Sequence, residues 1–113
     1  MAFQLIDRYL LGEPVSKAAL VERLLAERSP LPAAAPFYRA LEAVGVRAAD
    51  TAFIALRVVL GGGEVTDDRV RRLQGLSNDA RAARNGPAAP ATDASALADA
   101  EAAYRAEVAA LAG

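Results

Sequence analysis

The chain of 113 residues contains no cysteine and no histidine, and these absences remove the side chains on which most small enzymes rely. Without cysteine there is no disulfide and no thiolate metal ligand. Without histidine there is no imidazole ligand and no side chain that ordinarily titrates near neutral pH. We therefore expect no metal, no other cofactor and no enzymatic activity.

Long apolar runs are missing too. No stretch approaches the roughly 20 apolar residues that a membrane-spanning helix needs. The N-terminal segment reaches Asp7 and Arg8 too early for a secretory signal. The sequence therefore predicts a cytoplasmic protein with no membrane partner.

A strong excess of one charge is the third absence. The chain carries 13 basic and 14 acidic residues, for a formal net charge of -1. Nucleic-acid-binding proteins usually carry a clear basic excess, so such binding would have to depend on a local patch.

What the chain does contain is apolar residues at helical spacing, separated by glycine and proline. Together these signals predict an all-α fold, a small bundle of about five to six helices with a C-terminal helix on a Pro-rich linker. We divide the chain into a helical core domain (1–86), a Pro/Ala linker (87–92) and a C-terminal interaction helix (93–113). The predicted helices cover 2–11, 16–28, 36–44, 50–60, 67–84 and 93–112.

The segment from Asp50 to Leu60 is apolar around its whole circumference and is rich in β-branched residues. A buried helix and a strand both fit this pattern. We favour the helix, because no other segment resembles a pairing strand. Arg57 lies inside it and should form an ion pair, with Asp50 on the same side of the helix or across a subunit interface.

Three glycines, Gly61 to Gly63, precede the segment that Thr66 can cap. A glycine-rich loop before a helix can bind phosphate, but the Lys-Ser/Thr pair of a P-loop is missing here. Asp67 and Asp68 would also repel a phosphate in the first helical turn. The glycines therefore indicate a turn.

The helix after this turn is locally basic. A solvated, salt-bridged face is the simpler interpretation, in which Asp68 and Asp79 neutralise Arg72. A surface for phosphate or an acidic partner is the alternative. Arg69 and Arg84 face the apolar stripe, so each should extend its charged end to solvent, form an ion pair or contact a partner. The candidate contacts are Arg69, Arg71, Arg72, Arg81 and Arg84.

The last helix has a narrow apolar seam in which Leu97, Tyr104 and Leu111 recur every seven residues, with Val108 beside them. This stripe needs a surface to cover it, because so short a helix is marginal alone in water. It can fold back on its own domain or dock on another subunit or protein. The candidate interface residues are Leu97, Tyr104, Val108, Leu111 and Arg57.

Three functions follow from these patterns. The preferred hypothesis is a non-enzymatic assembly or adaptor protein, oligomeric, whose C-terminal helix binds a second copy or another protein. The alternative is a small nucleic-acid-binding protein that uses the arginine-rich helix over 67–84. The third is an all-helical enzyme that acts through arginine electrostatics alone.

Overall fold

A computed structural model describes residues 2–85 and 94–111, and all regular structure in these ranges is helical. The prediction of an all-α bundle is confirmed, and the segment at Asp50 is a helix. The predicted linker at 87–92 lies outside the described residues. The α-helices are α1 (Ala2–Leu10), α2 (Lys17–Ala26), α3 (Ala35–Val44), α4 (Asp50–Leu60), α5 (Asp67–Asn85) and α6 (Ala94–Ala109). Two 3₁₀ turns, Pro32–Ala34 and Gly45–Arg47, flank α3.

Two of the helices begin at residues that the sequence marks as caps, but α2 ends at Ala26 and α6 ends at Ala109, before the predicted ends at 28 and 112. The Ser16 hydroxyl accepts a hydrogen bond from the amide of Ala19 at 3.3 Å, and the Thr66 hydroxyl accepts one from Arg69 at 3.2 Å. Each cap satisfies one of the amides that a helix N-terminus leaves without a partner. Gly12, with φ of 84°, lies just after α1 in the left-handed region that favours glycine.

Helix α4 lies at the centre of the bundle and packs against α1, α3 and α5. Seven consecutive residues, from Phe53 to Val59, are buried in it. Contacts with three neighbouring helices explain why this segment is apolar on all sides rather than along one stripe.

The C-terminal end of α1 is held by side chains of α5. Ser77 donates to the carbonyl of Leu10 at 2.6 Å, and Arg84 donates to the carbonyl of Leu11 at 3.2 Å. Carbonyls at a helix C-terminus have no partner within the helix, and cations stabilise the negative end of its dipole. The basic residues of α5 therefore help to fix α1 in the fold.

The C-terminal helix folds back on its own chain and packs along α5. Tyr104 and Leu111 are buried in the core, while Glu101 and Glu107 lie beside Arg84 and Arg72. Of the two places that the sequence left open for this helix, the structure shows the intramolecular one.

None of the helices in the described ranges is both long and apolar enough to cross a membrane.

Candidate functional site

A buried polar cluster joins α1, α4 and α6. The Asp7 carboxylate accepts a hydrogen bond from Arg57 Nε at 2.7 Å and another from the Tyr104 hydroxyl at 2.7 Å. Their exposed fractions are 8% for Asp7, 6% for Arg57 and 0% for Tyr104. Arg57 thus forms an ion pair, as predicted, but its expected partner Asp50 was wrong, because an aspartate on α1 lies closer.

This cluster leaves little room for a ligand, since its oxygens and nitrogens already bind one another. Burial, together with the nearby charge of Asp7, raises the pKa of Tyr104 well above its usual range. The hydroxyl therefore stays protonated and keeps donating to Asp7 at physiological pH. We interpret the Asp7, Arg57 and Tyr104 cluster as structural.

A second, partly exposed cluster surrounds Asp50 at the start of α4. Its carboxylate accepts from Arg81 Nη1 at 2.6 Å and from the Tyr9 hydroxyl at 2.9 Å. The Arg81 guanidinium also lies 4.9 Å from the centre of the Tyr9 ring, within cation–π distance. Burial alone would raise the pKa of Asp50, but the bonds from Arg81 and Tyr9 hold that pKa below its usual value.

The arginines of α5 divide into those bound to their own chain and those at the surface. Arg81 binds Asp50, and Arg84 binds Glu101 at 3.1 Å. Arg72 lies 3.6 Å from Glu107 of α6, an ion pair that helical spacing on α5 did not predict. Helix α6 covers this flank of α5, and a sequence-based helical wheel contains no such neighbour.

Arg69 and Arg71 are the less engaged arginines of this helix. Arg69 Nη1 lies 3.5 Å from the carbonyl of Leu111, at the limit of a hydrogen bond. Arg71 is exposed and forms no ion pair with any residue that the structure describes. These side chains, together with Arg72, which stays largely exposed beside Glu107, can meet an external anionic group.

The three arginines line a cleft of about 550 Å³ between the start of α5 and the end of α6. We call it the arginine cleft. Its lining residues include Asp68, Arg69, Arg71, Arg72, Glu107 and Leu111. The two carboxylates reduce its positive charge, so the cleft suits a few anionic groups rather than a polyanion.

The glycine run beneath this cleft is a turn that the chain's own residues cover. A Cβ added at Gly61 would lie 3.1 Å from Leu111 Cδ1, and one at Gly63 would overlap the Arg69 guanidinium. Gly62 has a φ of 90°, which other residues rarely adopt. Glycine is needed here for close packing of α6 and Arg69.

A second concavity, which we call the apolar groove, opens between α3, α4 and α5 with a volume of about 530 Å³. Its apolar lining consists of Phe37, Ala52, Ala55, Val65 and Val70. Its polar lining consists of Thr51, Asp67, Arg71 and Gln74. Arg71 belongs to both concavities, so the apolar groove and the arginine cleft are neighbours across the first turns of α5.

Sequence reasoning missed the apolar groove. Phe37, an apolar residue of α3, is only half-buried and lines the groove. The sequence carries only a weak signal for this groove, because the groove forms only when three helices pack together. Much of its lining also consists of small side chains, which do not stand out in a sequence. Thr51 at its edge is exposed.

The predicted interface residues of α6 serve a contact within the chain. Tyr104 and Leu111 are buried, and Leu97 and Val108 are half-buried. For Tyr104 and Leu111 to meet a partner, α6 would have to leave α5. The role of these four residues as an interface stays a prediction. No group of three or more acidic residues in 2–85 and 94–111 is placed to hold a metal ion.

Comparisons of the chain with known protein families, with curated proteins and with solved structures found no match.

Proposed function

We propose that the chain is a non-enzymatic protein-interaction module that binds a helical segment of another protein in the apolar groove. The observation that carries this proposal is the groove itself, an apolar concavity bounded by three helices and open to solvent. The surface differs from the C-terminal seam that the sequence indicated, but the class of function is the same.

The lining of the apolar groove suits the side chains of a helix. Phe37, Val65 and Val70 are partly exposed and pack against the core, so a partner would extend an existing apolar cluster. Ala52 and Ala55 are small, and they allow an incoming helix to approach α4 closely. Burying such surface is favourable by about 25 cal/mol per Å², and helix-in-groove binding is a recurring mode of peptide recognition.

Nucleic acid is less well supported as the partner. Arg81 and Arg84, two of the five arginines that the sequence offers for phosphate contacts, are bound to Asp50 and Glu101. Asp68 lines the arginine cleft and faces any incoming phosphate chain. Duplex DNA carries one charge per roughly 1.7 Å, and this surface offers few free cations to match it.

The test uses a display library of peptides about 16 residues long, roughly four turns of helix, patterned to be amphipathic and otherwise random. Selected peptides are measured by fluorescence anisotropy against the full chain. We expect Thr51→Trp, which places a large ring at the edge of the apolar groove, to weaken binding about tenfold or more. Ala43→Trp adds the same ring at an exposed position of α3 outside the groove and should leave binding unchanged.

Light scattering coupled to gel filtration accompanies this test and measures the molar mass of the free chain. A monomer that binds selected peptides supports the proposal. A dimer that Thr51→Trp dissociates would show that a second copy occupies the groove and would overturn it. Failure to select any peptide, or binding that Thr51→Trp does not change, would also overturn it.

A further inference from the structure

We infer that the arginine cleft recognises acidic residues at one end of the same bound helical segment, so that the partner is an apolar helix with an acidic flank. This inference rests on the proposed function and specifies the chemistry of the partner. The apolar groove supplies apolar contact, and the arginine cleft supplies charge recognition.

The first support is continuity of the two concavities. Arg71 lines both of them, and Asp67 and Asp68, on either side of the boundary, are consecutive residues. A helix lying in the apolar groove along the first turns of α5 would therefore end beside the arginine cleft. A few acidic residues at that end of the partner helix would contact Arg71 while the helix stays in the apolar groove.

The second support is the electrostatic state of the cleft. Its three guanidinium groups face two carboxylates, so one positive charge is in excess among these groups. Arg72 and Glu107 are 3.6 Å apart, longer than a close charge-assisted hydrogen bond. Arg71 has no ion pair with the described residues, so a carboxylate on the partner would not have to displace one.

The third support comes from the chain's own C-terminal helix. Helical spacing places Arg72 and Leu76 on one flank of α5 and Val70 and Gln74 on the opposite flank. On the first flank lies α6, which packs apolar side chains against α5 while its glutamates contact arginines. The flank at Val70 has the same combination of apolar surface and a nearby arginine, but it faces an open groove. A helix with α6-like chemistry therefore fits this second flank.

An acidic peptide suits the site better than a nucleic acid. Asp68 and Glu107 lie among the arginines of the cleft and would repel a continuous phosphate backbone. A peptide with one or two carboxylates can place them at Arg71 and Arg69 while its apolar residues avoid the acidic groups. Specificity then comes from the position of the charges rather than from total charge.

The experiment uses three amphipathic peptide libraries that share one apolar pattern and differ in a fixed flank of Glu, Gln or Lys residues. We expect the full chain to enrich the Glu-flanked peptides. Arg71→Gln should weaken the binding of a Glu-flanked peptide about fivefold and leave the Gln-flanked version of that peptide unchanged. Arg39→Gln, which neutralises an exposed arginine on α3, is the matched control and should change neither affinity.

A charge reversal sharpens the test, because Arg71→Glu should reverse the preference toward the Lys-flanked peptide. The preference of the unaltered chain should also fade as salt rises from about 50 mM to about 500 mM. Circular dichroism of each variant checks that the fold is retained.

The outcomes separate this inference from the proposed function. Equal binding of the three flanks, abolished throughout by Thr51→Trp, would retain the apolar groove as a binding site and overturn the acidic flank. No binding by any library would overturn the proposed function itself. Glu-flanked binding that survives Thr51→Trp, or tighter binding of a labelled DNA duplex than of any peptide, would show that the cleft acts alone and would overturn the inference.

Discussion

Tyr104→Phe removes one hydroxyl from the buried cluster and leaves the aromatic ring in place. That hydroxyl donates to Asp7 at 2.7 Å, and neither residue has appreciable contact with water. A hydrogen bond to a charged group contributes about 1.5–3 kcal/mol, so we expect a loss of roughly 2 kcal/mol in the free energy of unfolding. Unfolding entropies of about 2.1 cal/mol/K per residue convert this loss to a fall in Tm of roughly 8 °C.

The control is Tyr9→Phe, which removes a similar bond at a more exposed place. The Tyr9 hydroxyl donates to Asp50 at 2.9 Å, but water can replace it there and Arg81 still holds the carboxylate. We expect this variant to lose less than about 1 kcal/mol. Urea denaturation followed by circular dichroism measures both variants. If Tyr104→Phe were no more destabilising than Tyr9→Phe, the burial argument for the Asp7 cluster would be refuted.

Three further predictions concern the same bundle. Gly75 lies inside α5, and a Cβ added there would meet no other atom within 4 Å. Gly75→Ala should therefore raise the unfolding free energy by about 0.5–1 kcal/mol in urea denaturation, and a lower unfolding free energy would contradict this prediction. Ser77→Ala leaves the carbonyl of Leu10 without its buried donor. After allowance for the higher helix preference of alanine, it should lower the unfolding free energy by about 1 kcal/mol. Unchanged stability in the same assay would show that this hydrogen bond is unimportant. The pKa of Tyr104 is raised in the fold, so the contribution of its protonated hydroxyl to the unfolding free energy should be full below about pH 10. Above that pH the unfolding free energy should fall by about 1.4 kcal/mol per pH unit. Urea titrations at several alkaline pH values check this slope, and Tyr104→Phe should reduce it.

The elements of the fold could be predicted because the signals for them are local. Ser16 and Thr66 cap helices, Gly12 follows one, and apolar periodicity fixes the type of each element. Even the helix that begins at Asp50 could be predicted, because no other segment could pair with it as a strand. These features depend on neighbours within a few residues, and a sequence displays them directly.

The partners of the charged residues could not be predicted in the same way. Arg57 binds Asp7, 50 positions earlier, and Arg72 lies beside Glu107 on a helix that the sequence could place in two positions. Helical spacing proposes partners on the same helix, whereas the fold brings others closer in space. The apolar groove escaped notice for the same reason, because Phe37 and Val70 meet only after α3 and α5 have packed.

The Asp7 cluster also sets an order of events for the nascent chain. Its donors come from α4 and α6, and 97 positions separate Tyr104 from Asp7. During synthesis the residues of the first five helices are joined to the chain before Tyr104, whose hydroxyl completes the cluster, is added. The Asp7 carboxylate can meet Arg57 at that stage, but the flank of α5 that carries Leu76 still awaits α6. Non-local contacts of this kind slow the last step of folding, and a chain that ended before α6 would keep an exposed apolar flank and an incomplete buried cluster.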